Sequence, residues 1–420
     1  MENLNFEKLV TKTGAPLYVM PMPHANTVAA GALVRIGTRD EDWPKEAGLA
    51  HALEHMVYLG GTKEFPTSKE LTGYIEEVGG YSNAWTTKEA TFFYAQIPSQ
   101  HKERAVHILG ETLTNSIFPA EKIRTEMKNI VEEIRRSNDD ADHFLYDLAM
   151  KFLYGDHPLG RKTLGTIESV SSFTQTDFER FKKRYYHPGN YAFVCAGDIT
   201  SKEALRLFER YFPETESVAQ APHKRTNQSM QDPGTRMYAY KKQLDQVHLV
   251  LVAPIGKRED RASEALEIYR SMIDGGASFP LFQEVRDKRG LCYDIGAEVD
   301  KNSDIGNFAI GIGTDPVRYA EAIRESLAVV QANKSDEQLL RRAQDLILGR
   351  LALRYESTGN IINIAANDIL DNDAPFGYEQ LAERIKNITI QDITEAVDAY
   401  LKPEQFRTVL LIPESLDIKI

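Results

Sequence analysis

Residues 48–61 read GLAHALEHMVYLGG, and the interpretation of the whole chain starts from this stretch. It predicts a short helix, which the two glycines at its end would terminate. His51, Glu54 and His55 stand three and four positions apart, so they lie on one face of that helix. Two imidazoles with a carboxylate beside them suit one divalent ion and a group that handles a proton. The stretch therefore predicts part of a metal site.

The composition indicates a globular chain with two domains. The chain has 420 residues, of which 42% are hydrophobic and 27% charged, and its formal net charge is −12. This length exceeds one ordinary core. A general nucleic-acid-binding protein would show a basic face, and no run reaches the roughly 18 apolar residues of a membrane span. We therefore expect neither a nucleic-acid nor a membrane partner.

Two features of the sequence bear on the compartment. The amino terminus lacks a basic region followed by an apolar one, which is the pattern of a secretory signal. Cys195 and Cys292 each lie in an apolar, strand-like run and are expected to be buried free thiols. We expect the bacterial cytoplasm, although a processed organellar form fits the same pattern.

Strand and helix patterns alternate along the chain, and one polar stretch interrupts them. Strands are predicted at 17–20, 27–37, 81–98, 190–199 and 248–255, and helices at 48–61, 68–78, 101–115, 120–137, 141–153 and 266–276. Residues 213–234 lose this periodicity and contain prolines in a polar context, which is typical of a linker. We therefore predict an amino-terminal domain at 1–215, a linker at 216–236 and a carboxyl-terminal domain at 237–420.

The second half of the sequence repeats the first at an offset of 215 positions. The pairs that share this offset are Gly60 and Gly275, Thr174 and Thr389, Asp177 and Asp392, and Pro188 and Pro403. Such agreement indicates an internal repeat, so we predict two copies of one α+β domain. At the same offset the three motif residues are replaced by Leu266, Tyr269 and Arg270. The fold does not require the motif, which favours a functional role for it.

The predicted helix at 120–137 offers a third ligand, which a catalytic zinc site normally requires. Its apolar stripe is Ile123, Met127, Ile130 and Ile134. At about 100° per residue, Glu132 falls opposite this stripe, whereas Glu126 and Glu133 lie at its edge. A carboxylate at the rim of a buried face is costly unless it is paired or bound to a metal. We predict Glu133 as the ligand and Glu126 as a partner of the ligands or a carboxylate near the site. On its own, the helix leaves a solvated charged face as the alternative.

These features together resemble the inverzincins, zinc peptidases whose His-x-x-Glu-His motif reverses that of thermolysin-like enzymes. More specifically, the chain is similar to the pitrilysin/insulinase family and, within it, to the short-chain branch that includes mitochondrial processing peptidase and its bacterial relatives. Other matching stretches are SNAWTTKEATFFY at 82–94, HPLGRKTLGT at 157–166 and YYHPGNYAFVCAGDI at 185–199. The resemblance covers nearly the whole chain and implies two homologous α+β domains, each with a largely antiparallel sheet packed against helices.

The resemblance also implies roles for particular residues. The third ligand in the family is the second of two glutamates seven residues apart, a spacing that Glu126 and Glu133 have. One Zn²⁺ per chain would be held by His51, His55 and Glu133. The residues expected to act in catalysis are Glu54, Glu126, Arg286 and Tyr293. The residues expected to bind substrate are Asn83, Ala84, Trp85 and Thr86, as an added β-strand, together with Arg286 and Tyr293 across the chamber.

By the same resemblance, the expected partners are peptide substrates and a second chain. Half-length members of the family pair two chains into a clamshell that encloses the substrate. We expect a zinc endopeptidase that acts on peptides or small unfolded proteins, as a homodimer or as a heterodimer with a paralogue that lacks the ligands. The alternatives are a non-catalytic partner subunit and an amidase acting on a small molecule. The intact motif disfavours the first alternative, and the two-domain chamber disfavours the second.

Overall fold

The computed structural model describes residues 4–213 and 237–415, and the predicted linker at 216–236 lies outside these described residues. The described strands form two sheets. They are β1 (Glu7–Val10), β2 (Pro16–Pro21), β3 (Thr27–Val34), β4 (Tyr81–Thr86), β5 (Thr91–Pro98), β6 (Tyr191–Gly197), β7 (Met237–Lys242), β8 (Val247–Ile255), β9 (Cys292–Asp300), β10 (Gly306–Thr314) and β11 (Arg407–Pro413).

Helices separate most of these strands along the chain. The α-helices are α1 (Leu49–Leu59), α2 (Ser68–Glu76), α3 (Lys102–Thr114), α4 (Ala120–Asp139), α5 (Ala141–Tyr154), α6 (Ile167–Ser172), α7 (Gln175–Tyr185), α8 (Ser201–Tyr211), α9 (Arg261–Ile273), α10 (Tyr319–Ala332), α11 (Glu337–Arg354), α12 (Thr358–Asn372), α13 (Tyr378–Lys386) and α14 (Ile390–Tyr400). A π-helical segment at Leu281–Asp287 precedes β9. Among the described residues, no helix is both long and apolar enough to cross a membrane.

The two sheets share one topology apart from the additional β1, which confirms the predicted α+β fold of two homologous domains. The first sheet has the order β1-β2-β6-β3-β5-β4, and the second has the order β7-β11-β8-β10-β9. Only β2 with β6 and β7 with β11 pair in parallel, while the other neighbours are antiparallel. The repeat extends to single residues. Thr174 with Asp177 and Thr389 with Asp392 form the same capping box at the starts of α7 and α14.

The chain divides into two compact units, and each unit includes a segment from the other half of the sequence. Among the described residues, the first unit comprises 4–136, 162–213 and 352–380, and the second comprises 137–161, 237–351 and 381–415. Within the first unit α12 packs on β3 and β6, and within the second α5 packs on β8 and β11. These helices hold roughly equivalent places in the repeat. The compact units and the continuous domains predicted from the sequence are therefore different divisions of the chain.

The central strands of both sheets are buried on both faces because helices cover each side. In the second unit, one face of β8 and β11 packs into the main core, while the other face packs against α5. Strands covered on both sides read as nearly continuous apolar runs, as β6 does. Cys195 on β6 and Cys292 on β9 are buried free thiols, as predicted. Burial raises the pKa of Cys195 to about 12 and that of Cys292 to about 11.

The stretch 81–98 forms two strands, and its prediction as a single strand was wrong. A tight turn at 87–90 separates β4 from β5, and the backbone N–H of Thr87 donates to the Ala90 carbonyl at 2.8 Å. The Thr87 side chain accepts hydrogen bonds from the N–H groups of Glu89 and Ala90. These local bonds satisfy the turn and fold the chain back on itself. The hairpin leaves β4 at the edge of the first sheet.

Candidate metal centre

The α1 helix presents the motif on one face because its other face is anchored in the core. The buried apolar side chains of its core face are Leu49, Leu53, Met56 and Val57. The helix begins after Gly48, whose φ of 86° lies in the left-handed region that glycine tolerates. The Glu41 carboxylate fixes this start, since it accepts the N–H of Gly48 at 2.9 Å and that of Ala50 at 2.8 Å.

Three side chains with the predicted ligand chemistry meet where α1 faces α4. His51, His55 and Glu133 each offer one ligand atom, and these atoms lie within 4.8 Å of one another. The Nε2 atom of His51 lies 3.9 Å from Oε1 of Glu133, and the two imidazole centroids are 4.6 Å apart. Two imidazoles and one carboxylate form a donor set that suits catalytic zinc and leaves a coordination position open.

Glu126 orients one of these imidazoles. Its Oε1 atom lies 2.8 Å from Nδ1 of His55, and its Oε2 atom accepts from the Asn129 side chain at 2.9 Å. A hydrogen bond at Nδ1 leaves Nε2 of His55 available as the ligand atom. Burial opposes ionisation of Glu126, but the hydrogen bonds from His55 and Asn129 outweigh it and hold the pKa of that carboxyl below its usual range. Glu126 is therefore a charged acceptor at neutral pH.

The two histidines differ in their electrostatic surroundings. Burial, helped by the neighbouring His55, lowers the pKa of His51 to about 3, so this imidazole is neutral at physiological pH. Neutral imidazole is the form that binds a metal. For His55, burial lowers the pKa, but the hydrogen bond to Glu126 and the charges of the surrounding carboxylates raise it above the ordinary value overall. The Nδ1 atom of His51 is buried without a hydrogen-bond partner among the described residues.

Glu54 lies on the same face of α1, and a residue of the edge strand β4 forms a hydrogen bond with its carboxylate. The Thr86 hydroxyl on β4 donates a hydrogen bond to Oε2 of Glu54. Burial raises the pKa of Glu54, while Thr86 and the nearby His55 partly oppose this rise. A carboxylate whose pKa is shifted towards neutrality is better matched to proton transfer than an ordinary surface glutamate.

The predicted substrate strand, β4, is the edge strand nearest this site. It pairs with β5 on one side, and it has no strand on its other side among the described residues. Because hydrogen-bonded pairs alternate along an antiparallel ladder, the N–H of Ala84 points away from β5. The side chain of Asn83 accepts that N–H at 2.8 Å, and the Tyr58 hydroxyl donates to the Asn83 carbonyl at 3.3 Å. Further along β4, Trp85 donates from Nε1 to the Asn363 side chain of α12 at 2.9 Å.

In the second unit, two of the three residues at the places of the motif belong to the core, and the third, Arg270, is partly exposed. Leu266 and Tyr269 are fully buried, and the Tyr269 hydroxyl donates to the Val330 carbonyl. Arg286 lies on the π-helical segment, with its guanidinium carbon 4.6 Å from the centroid of the Phe282 ring. Tyr293 on β9 is 44% exposed. Both predicted substrate residues of this half therefore lie on elements next to each other in the chain.

A second group of possible ligands lies elsewhere in the first unit. Ligand atoms of Glu64, His107 and Glu111 also lie within 4.8 Å of one another. Both ring nitrogens of His107 already have hydrogen-bond partners, Tyr74 at 3.0 Å and Glu64 at 3.2 Å. These bonds account for the group without an ion, so the cluster that contains His51 is the better metal candidate.

The sequence reasoning missed several side chains that support the site. Thr86 was predicted to bind substrate, but the hydrogen bond from its hydroxyl to Glu54 was not predicted. Tyr58 and Asn129 were not singled out, although each stands one helical turn from a predicted site residue, Glu54 and Glu126 respectively. Helical spacing of three or four positions was the available signal for both. For Glu41, the sequence offered no comparable signal.

Comparison with known proteins gives consistent results for both halves of the chain. The family model described as Insulinase (Peptidase family M16) matches residues 20–167, and the model described as Peptidase M16 inactive domain matches residues 172–347. A Rickettsia felis protein named as an uncharacterized zinc protease is 30% identical over 403 residues, which are 93% of each chain.

Solved structures show the same fold at lower sequence identity. A protease from Helicobacter pylori matches with a TM-score of 0.87 and 21% identity over 98% of this chain and 100% of that chain. The periplasmic protease PqqL from Escherichia coli matches with a TM-score of 0.77 and 19% identity, over 98% of this chain but 48% of that chain.

Proposed function

This chain belongs to the insulinase (M16) family of peptidases, and from that premise we propose that it is a zinc-dependent endopeptidase acting on peptides or small unfolded proteins. One observation carries the proposal. Two imidazoles and a carboxylate gather within 4.8 Å on the unit that also holds Glu54 beside them. The equivalent places in the other half of the chain carry Leu266, Tyr269 and Arg270. The family model matching the second half is described as an inactive domain, which agrees with this division of roles.

The proposed chemistry assigns one task to each side chain of the site. His51, His55 and Glu133 would hold one Zn²⁺, which when bound supplies Lewis acidity and lowers the pKa of water. Glu126 keeps the His55 ring oriented through Nδ1. Glu54 takes a proton from the attacking water and delivers it to the leaving amine. Thr86 donates to one oxygen of the Glu54 carboxylate and so leaves the other oxygen to receive that proton.

The edge strand supports a peptide as the substrate. An extended peptide that pairs with β4 would form main-chain hydrogen bonds with Ala84 and Thr86. Because Thr86 also holds Glu54, such pairing would place the peptide backbone beside the general base. The Asn83 side chain, which accepts the Ala84 N–H, would have to release it when the peptide pairs. These contacts favour a polypeptide over a small amide as the substrate.

A second chain is proposed to complete the active site. In the resemblance described above, the domain facing the metal comes from another half, so the partner subunit's Arg286 and the partner subunit's Tyr293 would orient the substrate. PqqL, of which this chain covers 48%, has the length that two such halves would give. Mixing an Arg286→Ala chain with a Glu54→Gln chain should restore activity through hybrid dimers. Absence of rescue under conditions that allow chain exchange would contradict completion by the partner.

The function itself is tested with the Glu54→Gln variant. Because glutamine keeps the shape of the side chain but cannot accept the proton, we expect zinc content to stay at the wild-type level. Turnover of a quenched peptide should fall by at least about 100-fold. Glu132→Gln, on an exposed side chain of α4, is the matched control and should change neither quantity. Retained turnover in Glu54→Gln would remove Glu54 from the general-base role. A wild-type protein that binds zinc but cleaves no peptide would support the non-catalytic subunit instead.

A further inference from the structure

A cavity of about 520 Å³ lies within the first unit, and none of its lining residues belongs to the metal centre. Its volume lies in the range of small-molecule sites, which is about 300–1,000 Å³. The apolar side chains of its walls are Leu113, Ile117, Phe118, Tyr191, Phe193 and Phe212. The cavity therefore offers an apolar ligand a place to bury its surface.

Three lysines line the same cavity, and none has a carboxylate partner within 4 Å among the described residues. They are Lys63, Lys182 and Lys183. Lys182 is half-buried. Its Nζ atom donates to the Ser116 hydroxyl at 2.6 Å and lies 5.8 Å from the centroid of the Phe118 ring. Burial, reinforced by the charge of Lys63, lowers the pKa of Lys182 to about 8, so the amine remains mostly protonated at neutral pH.

The carboxylates nearest these lysines are engaged with other donors. Glu179, which also lines the cavity, accepts a hydrogen bond from the Gln175 side chain at 2.7 Å. Glu111, which acts on Lys182 only through its charge, accepts from the Asn115 side chain at 2.6 Å. An ammonium that is removed from water without a counter-ion is costly. This cost falls on the half-buried Lys182, since Lys63 and Lys183 are exposed. In a chain with a net charge of −12, a half-buried lysine flanked by two exposed lysines at one cavity indicates a site for an anion.

A further polar group in the wall has no partner in the described structure. His187 is 8% exposed, and its Nδ1 atom is buried without a hydrogen-bond partner. Burial lowers the pKa of His187, so the ring is neutral at physiological pH. The wall thus combines one half-buried cation and one neutral imidazole ring with apolar side chains.

From this geometry we propose that the cavity binds a small amphiphilic monocarboxylate. Its carboxylate lies against Lys182, and its apolar body lies between Leu113, Phe118 and Phe212. The described lining residues include no arginine, so the anion would meet the single charge of a lysine and not a bidentate guanidinium fork. Two sources share the proposed ligand chemistry, namely a medium-chain fatty acid and the free carboxyl terminus of a short apolar peptide. The proposed carboxylate site shares no lining residue with the metal centre, so this proposal holds whether or not the chain is a peptidase.

Calorimetric titration of the full-length chain tests the site with four probes. The carboxylates are decanoate and N-acetyl-Leu-Phe, and their neutral counterparts are decan-1-ol and N-acetyl-Leu-Phe-amide. At least one carboxylate should bind saturably at one site per chain, and its neutral counterpart should bind about tenfold more weakly because it lacks the charge-assisted hydrogen bond. The carboxylate that binds more tightly identifies the source. Equal affinity of an acid and its neutral counterpart, or no saturable binding of either acid, would overturn the proposal.

Variants locate the binding in this cavity. Lys182→Met should weaken binding of the carboxylate about tenfold and leave binding of the neutral probe unchanged. Lys69→Met, at an exposed position on α2, is the matched control and should change nothing. If Lys182→Met does not fold, the double variant Lys63→Met/Lys183→Met alters exposed side chains only. It should weaken carboxylate binding several-fold at low ionic strength and much less at high salt. Wild-type affinity in these lysine variants would refute the assignment.

Discussion

Replacing Glu126 by alanine should weaken zinc binding about 100-fold, although Glu126 is not itself one of the proposed ligands. Its carboxylate lies 2.8 Å from Nδ1 of His55 and is only 9% exposed, so solvent does not compete for this hydrogen bond in the wild type. Without it, the His55 ring loses the acceptor that fixes its tautomer and its orientation. The ring must then be ordered at the moment that the metal binds.

The expected loss of zinc affinity depends on what each substitution at Glu126 removes. Glutamine keeps an oxygen that can accept the Nδ1 hydrogen but loses the negative charge, so Glu126→Gln should cost about tenfold in affinity, or about 1.4 kcal/mol. Alanine removes both the acceptor and the charge, so its expected loss of about 100-fold corresponds to about 2.7 kcal/mol. The two variants therefore separate the hydrogen bond from the charge.

Competition with a chromophoric chelator measures the zinc affinity of the wild type and both variants. Glu132→Gln is the control on the same helix, because that side chain is 68% exposed and pairs with Arg135. Thermal melts of the metal-free proteins check that the variants fold. Equal zinc affinity of the wild type and Glu126→Ala would refute the orienting role. A larger loss of zinc affinity in Glu126→Gln than in Glu126→Ala would contradict the expected order of the two effects.

Two further predictions concern stability. Glu41→Ala leaves the N–H groups of Gly48 and Ala50 without their acceptor. Denaturant titration should therefore show a loss of about 3 kcal/mol in the free energy of unfolding. A loss below about 0.5 kcal/mol, which is the usual range for surface changes, would contradict this prediction. For Asp392, the hydrogen bond with Arg261 and the capping bonds with Thr389 lower the pKa to about 2. A carboxyl whose pKa is lowered in the folded state stabilises the fold at pH values above its ordinary pKa near 3.8. At pH 6 the melting temperature of Asp392→Asn should therefore lie below that of the wild type. This difference in melting temperature should shrink as the pH falls towards 2. A gap that persists at pH 2 would contradict the linkage.

The parts of the site that depend on local spacing were predictable from the sequence. The helix at 48–61 and the face shared by its three polar residues follow from helical geometry alone. The same geometry separated Glu133 from Glu132, and the structure places Glu132 in solvent while Glu133 lies near His51. The internal repeat predicted two homologous domains, because a fixed offset is visible without any structure.

The parts that depend on contacts between distant segments were not predictable from the sequence. The hydrogen bond from Thr86 to Glu54 requires β4 to lie at the sheet edge beside α1, and only the strand order decides that. The π-helical segment that carries Arg286 has no sequence signal that separates it from an α-helix. The offset of the repeat also does not tell which half of the chain supplies the helix that covers each sheet.

Each sheet is covered by a helix from the other half of the sequence, so neither unit can fold from one half of the chain alone. The Thr27 hydroxyl lies 2.8 Å from that of Thr358, and 331 positions of sequence separate the two residues. Contacts of such long range slow folding because a large loop must close before they form. The first sheet, whose strand β4 holds Glu54 through Thr86, therefore acquires its covering helix α12 only after residues 358–372 have been synthesised. Until then, the apolar face of β3 and β6 that α12 will cover is open to chaperones.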